Sequence, residues 1–261
     1  MMRETRHGSG RGWYLVDKQV VWLTGAGSGI GQAVAIELAR AGAAVIISGR
    51  RRAPLEQVAQ EISSFSGSVR VKPVDVRNSE QVDTAAAEIV QEFGRIDIVV
   101  NAAGTNIPNR SWAQLSQADW MDVNATNTNG AFFCTRAVLG FMREQKQGLI
   151  VNIGSWGGRF ALKLTGVAYA GSKRALIALT ETLNMEEGEN GIRACVILPA
   201  AVNTPFLRRR SEPVPQETLA KMLQPSDIAR VVRFVAESPP HVCLNEILLS
   251  PTLNYVYAHS A

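Results

Sequence analysis

Short runs of apolar residues alternate along the chain with longer segments that carry apolar residues at helical spacing. Short apolar runs bounded by glycine or polar residues are typical of strands that are buried on both faces. The predicted strands cover residues 20–23, 45–47, 69–74, 96–100, 149–153, 194–198 and 247–249. The predicted helices cover residues 32–41, 54–65, 79–93, 119–143 and 169–187, and Ser79 is the predicted cap of the third helix.

Strands that alternate with helices in this way form a parallel sheet covered by helices on both faces. The pattern therefore predicts an α/β fold with a single doubly wound parallel sheet, a Rossmann-like architecture. We expect residues 1–16 to form a flexible N-terminal extension and residues 17–261 to form one domain.

The composition of the 261-residue chain is that of an ordinary globular protein, with 46% hydrophobic and 19% charged residues. These values exclude a disordered chain and a coiled coil. The net charge of +4 raises the question of a nucleic-acid partner. Much of the excess comes from Arg3, Arg6 and Arg11 and from arginine triplets at 50–52 and 208–210. Short basic runs of this kind usually form solvated surface, so we expect no nucleic-acid partner.

Three cysteines, Cys134, Cys195 and Cys243, are too few and too far apart for a zinc site or a disulfide framework. We therefore expect no metal site, and the odd number of cysteines favours a reducing cytoplasm. No uninterrupted apolar run approaches about 18 residues, so no membrane-spanning segment is predicted. The N-terminal arginines are not followed by the apolar region of a secretory signal.

The residues directly after the first predicted strand read TGAGSGIG at positions 24–31 and open a predicted helix. Glycines at such a turn let the backbone approach a pyrophosphate, and the helix N-terminus supplies N–H donors and a partial positive charge. A glycine loop that only turns the chain is the alternative, but the strand before it and the helix after it favour a dinucleotide. The candidate cofactor-binding residues here are Gly25, Ser28, Gly29, Ile30 and Gly31.

The second predicted strand ends in a serine and a glycine that are followed by Arg50 and Arg51. Folds that bind NAD commonly place an acidic residue here to accept a hydrogen bond from the ribose 2′-hydroxyl. Arg50 and Arg51 favour NADP instead, because a guanidinium can hold a 2′-phosphate with two hydrogen bonds. The alternative is an exposed arginine that leads into a helix, with NAD as the cofactor.

Tyr169 and Lys173 are four residues apart on a predicted helix, so their side chains lie on one face. A phenol has a pKa near 10, too high to accept a proton readily at neutral pH. A cation about 4 Å away, at an effective dielectric constant near 20, stabilises the phenolate by roughly 4 kcal/mol. The spacing therefore predicts a tyrosine that exchanges protons near physiological pH, and an exposed tyrosine–lysine pair is the alternative.

The Thr-Gly-x-x-x-Gly-Ile-Gly turn and the Tyr-x-x-x-Lys pair resemble motifs of the short-chain dehydrogenase/reductase family, and the likeness covers about residues 18–205. The catalytic residues that the resemblance implies are Asn127, Ser155, Tyr169 and Lys173. Ser155 would hold the substrate oxygen, and Asn127 would anchor a water that connects Lys173 to solvent. Asn124 and Asn129 compete with Asn127, which alone has the Asn-x-x-Gly spacing.

The resemblance implies further contacts to the dinucleotide. The sequence matches the family at the adenine contact after the third strand, at the ribose motif after the fourth, and at the nicotinamide contact after the sixth. The residues concerned are Asp75, Val76, Asn101, Ala102, Gly104, Pro199, Val202 and Thr204, together with Tyr169 and Lys173. Ala200 stands where the family usually has glycine.

The function that the resemblance implies is hydride transfer between NADP(H) and a carbonyl or secondary alcohol, with Tyr169 as the proton donor. The C-terminal pattern around Asn245 and Glu246 loosely resembles NADP-dependent 3-hydroxy acid and serine dehydrogenases. A 3-oxo or 3-hydroxy acid, or a small ketone, is therefore the expected small-molecule substrate. The alternative is a regulatory protein that binds NADP without turnover, although such proteins often lack the tyrosine or the lysine.

In this family the loop before the tyrosine and a substrate-loop segment, here about residues 205–224, set specificity. The residues that they supply are Trp156, Arg159, Phe160, Leu162, Phe206, Leu207 and the arginines at 208–210. These residues suit a substrate with an apolar body, and the arginines are either a carboxylate clamp or solvated surface. The resemblance also implies a homotetramer or homodimer that packs through the helices at 119–143 and 169–187.

Overall fold

The computed structural model describes residues 15–209 and 214–254, apart from the side chains of Arg208 and Arg209. The predicted surface arginines that lie outside the described residues are Arg3, Arg6, Arg11 and Arg210. Most of the predicted N-terminal extension lies outside them as well. Val16, at its end, is fully buried in the core, so the boundary predicted at residue 17 falls too late in the chain.

Seven strands form one sheet in the described part of the chain. They are β1 (Val20–Thr24), β2 (Ala44–Ser48), β3 (Ser68–Val71), β4 (Ile98–Asn101), β5 (Gly148–Ile153), β6 (Ile192–Pro199) and β7 (Glu246–Leu249). All neighbouring strands are parallel, in the order β3-β2-β1-β4-β5-β6-β7. The strand order reverses at β1, which pairs with both β2 and β4, and a crevice forms outside the carboxyl ends of strands at such a point. The predicted doubly wound parallel sheet is confirmed.

Helices cover both faces of this sheet, as predicted. They are α1 (Gly29–Arg40), α2 (Arg52–Ser63), α3 (Ser79–Phe93), α4 (Gln117–Asn124), α5 (Gly130–Gln145), α6 (Trp156–Arg159), α7 (Val167–Glu187), α8 (Gln216–Lys221) and α9 (Pro225–Ala236). Helices α1, α2 and α9 share one apolar core with Val21 and Leu23 of β1, whereas α3 and α5 share another with Val20 and Trp22. None of the helices within residues 15–209 and 214–254 is long and apolar enough to cross a membrane.

The two outermost strands differ from the prediction that every strand is apolar and buried. In β3 and β7 exposed residues alternate with half-buried ones, whereas β1, β4 and β5 are buried throughout. An edge strand has a neighbour on one side only, and polar residues such as Arg70 and Glu246 suit its open side. Strand β3 is also shorter than its predicted range of 69–74, and Pro73, which has no N–H to donate to the ladder, lies beyond its end.

The cap of α3 also differs from the prediction by one residue. Asn78, rather than Ser79, has the extended backbone of an N-cap, and its side chain accepts a hydrogen bond of 3.0 Å from the backbone nitrogen of Gln81. Asparagine and serine cap helices about equally well, so two adjacent candidates cannot be ranked by residue type alone.

The long helix predicted over residues 119–143 is interrupted by a π-helical turn. Helices α4 and α5 are joined by the π-helix Ala125–Asn129, which contains the buried Asn127. Such turns often occur at functional sites, because the added residue in the turn alters the direction of the side chains. The interruption lies beside the crevice at the sheet edge, since Thr126 lines the cavity described below.

Candidate active site

A cavity of about 350 Å³ lies at the carboxyl edge of the sheet. Each of the five central strands delivers a residue to its wall at or just after the end of the strand: Gly25 after β1, Gly49 after β2, Ala102 after β4, Gly154 after β5 and Pro199 at the end of β6. Because the carboxyl ends of parallel strands meet at one edge, motifs that are far apart in sequence share this cavity.

The glycine-rich turn after β1 lines the cavity between the residues that follow β4 and those that follow β2 and β3, which form one end. Two glycines of this turn are required by close packing. Gly25 has φ +68°, and a Cβ there would lie 2.6 Å from the Ala103 nitrogen. A Cβ on Gly31 would lie 2.8 Å from the carbonyl carbon of Gly25. Gly29 and its neighbours in the first turn of α1 line the cavity, and the Ser28 side chain makes no capping bond to them. This turn fits a pyrophosphate, which accepts hydrogen bonds from N–H groups at a helix start.

The wall next to this turn carries both signs of charge. Arg50 and Arg51 line it together with Asp75 and Val76. The Arg77 guanidinium donates hydrogen bonds to Asp75 and holds the pKa of that carboxyl below its usual value, and the positive charge of Arg50 acts in the same direction. A carboxylate and an exposed arginine on one wall can bind both an amine and an anionic group of a nucleotide.

The hydroxyl groups of Ser155 and Tyr169 meet at the other end of the cavity. Ser155 is the N-cap of α6, where its hydroxyl accepts a hydrogen bond of 3.2 Å from the backbone nitrogen of Gly157. Tyr169 lies in the first turn of α7 and forms a side-chain hydrogen bond with Ser155. Phe206 packs on the tyrosine ring, with 5.8 Å between the ring centroids. Two adjacent hydroxyls beside an apolar ring can hold one substrate oxygen.

Burial of the Tyr169 phenol raises its pKa above the usual value. The hydrogen bond with Ser155 and the positive charge of Arg110 lower the pKa, but they do not outweigh burial. In the protein alone, the phenol therefore holds its proton at neutral pH. This is the form of a proton donor.

Lys173 lies one helical turn beyond Tyr169 and points into the same cavity. Its Nζ is 5.8 Å from the centroid of the tyrosine ring and donates a hydrogen bond of 2.7 Å to the carbonyl oxygen of Ile153. The side chain is only 4% exposed, and burial lowers its pKa to about 8. The ammonium is bonded to Ile153, and the groups that lower the phenol pKa in the protein alone are Ser155 and Arg110, so the predicted effect of Lys173 on the phenol stays a prediction.

Asn127 is buried behind the cavity rather than in its wall. Its side-chain oxygen accepts a 2.7 Å hydrogen bond from the backbone nitrogen of Thr105, and its amide donates to the Thr105 carbonyl and the Ser172 hydroxyl. The side chain thus joins the π-helix to the loop after β4 and to α7. Its hydrogen bonds go to these residues and not to Lys173, so the predicted role in a water relay stays a prediction.

Asn101 is a second residue whose placement differs from the prediction. It was expected to contact the cofactor, but it does not line the cavity. Its side-chain amide donates to the side-chain oxygen of Asn152 at 2.9 Å and to the Thr135 hydroxyl at 3.2 Å. These bonds connect β4 to β5 and α5, so the side chain points toward the helix-covered face of the sheet and not into the cavity. All the other predicted cofactor-binding residues line the cavity: Gly25, Ser28, Gly29, Ile30, Gly31, Arg50, Arg51, Asp75, Val76, Ala102, Gly104, Tyr169, Lys173, Pro199, Val202 and Thr204.

The predicted specificity residues divide into two groups. The residues that line the cavity are Trp156, Leu162, Phe206 and Leu207. Arg159 instead forms an ion pair of 3.3 Å with Glu246, and Phe160 packs on the outer side of Trp156 and is 45% exposed. Both residues therefore lie outside the cavity. The side chains of the arginine triplet at 208–210 lie outside the described part of the protein.

Arg110 lines the cavity near Tyr169, and no motif in the sequence indicates it. It belongs to the loop after β4, whose path is fixed by contacts that a linear pattern does not contain. Within the described ranges, no group of three or more histidine, cysteine, aspartate or glutamate residues is arranged to hold a metal ion.

Comparisons with known proteins identify the family to which the chain belongs. A family model for short chain dehydrogenases matches residues 19–214. An uncharacterised oxidoreductase of Staphylococcus aureus strain USA300 is 35% identical over 237 residues, which are 91% of this chain and 98% of that protein.

Solved structures of dehydrogenases are similar in fold to this chain. The closed form of a serine dehydrogenase complexed with NADP+ has a TM-score of 0.81 and 29% identity, covering 89% of this chain and 95% of the other. An alcohol dehydrogenase from the archaeon Thermococcus sibiricus, complexed with 5-hydroxy-NADP, has a TM-score of 0.80 and 28% identity, covering 90% and 97%. The chain therefore belongs to the short chain dehydrogenase family and is an oxidoreductase that acts on alcohol and carbonyl groups.

Proposed function

We propose that this protein transfers a hydride between NADP(H) and a small carbonyl or secondary alcohol, with Tyr169 as the proton donor. The observation that carries the proposal is the shared cavity: the Ser155 and Tyr169 hydroxyls meet at one end, and the glycine-rich turn and the residues after β2 and β3 line the rest. A dinucleotide bound along this cavity would bring its nicotinamide next to the two hydroxyls.

The residues of the chain divide the work of carbonyl reduction among them. Ser155 and Tyr169 both donate hydrogen bonds to the carbonyl oxygen, which withdraws electrons from the carbonyl carbon and fixes its position. The bound cofactor supplies the hydride that this carbon accepts. Tyr169 then gives its Oη proton to the alkoxide, and in alcohol oxidation it takes the proton back. Lys173, with a pKa of about 8, is mostly protonated at neutral pH and places a positive charge beside the forming phenolate.

The preference for NADP over NAD is supported by the arginines after β2. Arg52 forms an ion pair of 3.6 Å with Glu56 on its own helix, whereas Arg50 lines the cavity. Both solved relatives named above were determined with NADP-type cofactors, which agrees with a 2′-phosphate at Arg50. Asp75 on the same wall is kept ionised by Arg77 and can accept a hydrogen bond from an adenine amine.

A 3-oxo or 3-hydroxy acid, or a small ketone, is the substrate class that we propose. The similarity to a serine dehydrogenase supports an acid, since serine is a 3-hydroxy acid.

We also propose a homotetramer or homodimer that uses helices α4, α5 and α7. Exposed Trp120, Met121 and Phe132 on α4 and α5 support such an interface. A cytoplasmic location is supported by the three cysteines, all of which are free thiols.

The substitution Tyr169→Phe tests the proposal, because it removes only the hydroxyl. NADPH oxidation by a panel of ketones and 3-oxo acids should fall to less than about one hundredth of the parental rate, the contribution typical of a positioned acid. NADPH binding, measured by the change in cofactor fluorescence, should stay nearly unchanged. Retention of activity would remove Tyr169 from this role. NADPH binding by the parent protein without oxidation of NADPH by any compound would instead favour a regulatory protein.

A further inference from the structure

We propose that Arg110 recognises a carboxylate of the substrate, so that the preferred substrates are oxo acids and hydroxy acids rather than neutral ketones and alcohols. This inference rests on the proposed function, because it assigns one end of the substrate to a residue beside the reacting oxygen. It adds a residue that lies in none of the motifs discussed above.

The position of Arg110 carries the first step of the argument. The residue lines the cavity that holds Ser155 and Tyr169, and its positive charge acts on the Tyr169 phenol. Because Arg110 lines the same cavity as the two hydroxyls, a substrate whose oxygen lies at Ser155 and Tyr169 shares that cavity with the guanidinium.

Arg110 is held in place before any substrate arrives. Its Nε donates a 2.6 Å hydrogen bond to the Ile107 carbonyl, and its Nη1 donates a 2.9 Å bond to the Leu164 carbonyl. Gly166 permits this approach, because a Cβ at that position would lie 2.8 Å from the Arg110 carbonyl oxygen. Binding a ligand to a side chain that is already ordered costs less conformational entropy than ordering a free arginine.

Asn106 strengthens the same connection between the two loops. Its side-chain amide donates a 3.1 Å bond to the Thr165 carbonyl, and its side-chain oxygen accepts a 2.9 Å bond from the Ile107 backbone nitrogen. The loop after β4 and the loop before α7 are therefore tied together at the cavity, with Arg110 facing the site from their junction.

The charges of the cavity wall favour an anion at this end. The charged residues among the described lining residues are Arg50, Arg51, Asp75, Arg110 and Lys173. The one carboxylate, Asp75, lies with Arg50 at the nucleotide end and interacts with Arg77. At the Tyr169 end the described lining residues include two cations and no acidic side chain. The electrostatic potential there favours binding of a negatively charged substrate and disfavours binding of a positively charged one.

The rest of this end is apolar and limits what accompanies the carboxylate. Trp156, Leu162, Leu164, Phe206 and Leu207 line it. A carboxylate bound to a guanidinium would fix one end of the substrate, and a short hydrocarbon chain would lie against these side chains. The chemistry therefore fits short-chain oxo acids.

The test uses matched pairs of an acid and its neutral ester. Acetoacetate and methyl acetoacetate, and 3-oxohexanoate and its methyl ester, are reduced with NADPH by the parent protein and by Arg110→Gln, which removes the charge but keeps a hydrogen-bond donor. The parent should prefer the acids, and Arg110→Gln should lower kcat/KM for the acids by about 10- to 100-fold, mainly through KM, and change the esters much less. Arg110→Lys should lie between the two.

Lys163→Met is the matched control, since Lys163 is an exposed cation of the neighbouring loop that does not line the cavity. It should leave the preference for acids unchanged. The kcat/KM for each acid is divided by the kcat/KM for its ester. If this ratio is the same in the parent and in Arg110→Gln, the inference is overturned while the hydride-transfer function stands.

A binding measurement separates the two hypotheses when no probe is reduced. Calorimetry of 3-hydroxybutyrate and of its methyl ester binding to the parent and to Arg110→Gln, with and without NADP+, needs no turnover. Acid-selective binding that Arg110→Gln abolishes supports the carboxylate site and places the error in the proposed reaction. Binding that is the same for acid and ester, or the same in both proteins, refutes the carboxylate site.

Discussion

The buried ammonium of Lys173 makes a prediction about folding that is independent of any substrate. Burial lowers its pKa from 10.5 to about 8. Below pH 8 the group is protonated in the folded and the unfolded chain, and the cost of burying the charge is present in full. Between pH 8 and 10.5 the unfolded chain keeps a proton that the folded chain has released, so Lys173 makes the free energy of unfolding rise with pH.

The size of this effect follows from the two pKa values. Each pH unit between them corresponds to about 1.36 kcal/mol, so the total is about 3 kcal/mol. Lys173→Met removes it and leaves the Ile153 carbonyl without the Lys173 donor. That loss lowers stability by roughly 1–3 kcal/mol at every pH, because an uncharged carbonyl does not titrate. The free energy of unfolding of the variant therefore differs from that of the parent by a constant amount at every pH and, separately, in how it changes with pH.

Urea unfolding followed by tryptophan fluorescence measures both quantities. The cofactor is left out, and the protein concentration is the same throughout, because binding and association change apparent stability. From about pH 7 to about pH 11, the unfolding free energy of the parent minus that of Lys173→Met should rise by about 3 kcal/mol. Cys134 and Cys195, whose pKa values burial raises to about 12, act in the opposite direction above their usual value of 9, but both proteins contain them and the difference cancels their effect.

Lys163→Met serves as the control, because Lys163 is exposed and its curve should run parallel to that of the parent. If the curve for Lys173→Met is also parallel to the parent, the ammonium is not destabilised by burial. The assignment of Lys173 as a cation held at an energetic cost would then be wrong.

Two further substitutions test the nucleotide end of the cavity. Gly31→Ala should lower the unfolding free energy by about 1–3 kcal/mol and weaken NADPH binding, because its Cβ would collide with the Gly25 carbonyl. Gly140→Ala, on an open helix surface, should raise the unfolding free energy by about 0.5–1 kcal/mol. Equal effects of the two substitutions in urea unfolding would refute the packing argument. Arg50→Asp should raise the KM for NADPH by about 10- to 100-fold and leave the KM for NADH nearly unchanged. Arg52→Asp makes the same charge change outside the cavity and should leave both KM values unchanged. If Arg50→Asp keeps the cofactor preference of the parent, Arg50 does not bind the 2′-phosphate.

Much of the site could be predicted from the sequence, because its motifs sit at strand ends. In a doubly wound sheet the carboxyl ends of the parallel strands meet, so Gly25, Ala102, Ser155 and Pro199 share a cavity although they are far apart in the chain. Helical spacing likewise placed Tyr169 and Lys173 on one face of α7. These predictions required only the fold class and a local period.

The errors have a different origin, in contacts between segments. The π-helix around Asn127 is held by hydrogen bonds to Thr105 in another segment, so the pattern of residues 119–143 alone does not predict it. Asn101 has the residue type of a ligand-binding position, but Asn152 on the next strand supplies a partner within the sheet. Arg110 points into the cavity because two loops are joined there. Side chains that depend on tertiary partners cannot be placed by periodicity.

The same distinction applies to the electrostatics of Tyr169. The motif supplies one cation, Lys173, but burial dominates and keeps the proton on the phenol, which suits carbonyl reduction at neutral pH. The loop supplies a second cation, Arg110, whose charge lowers the phenol pKa. A carboxylate bound at Arg110 would offset that charge and raise the phenol pKa again, so that the proton is held more firmly until hydride arrives at the carbonyl carbon. Substrate recognition and proton donation would then be coupled through one guanidinium that the family motifs do not contain.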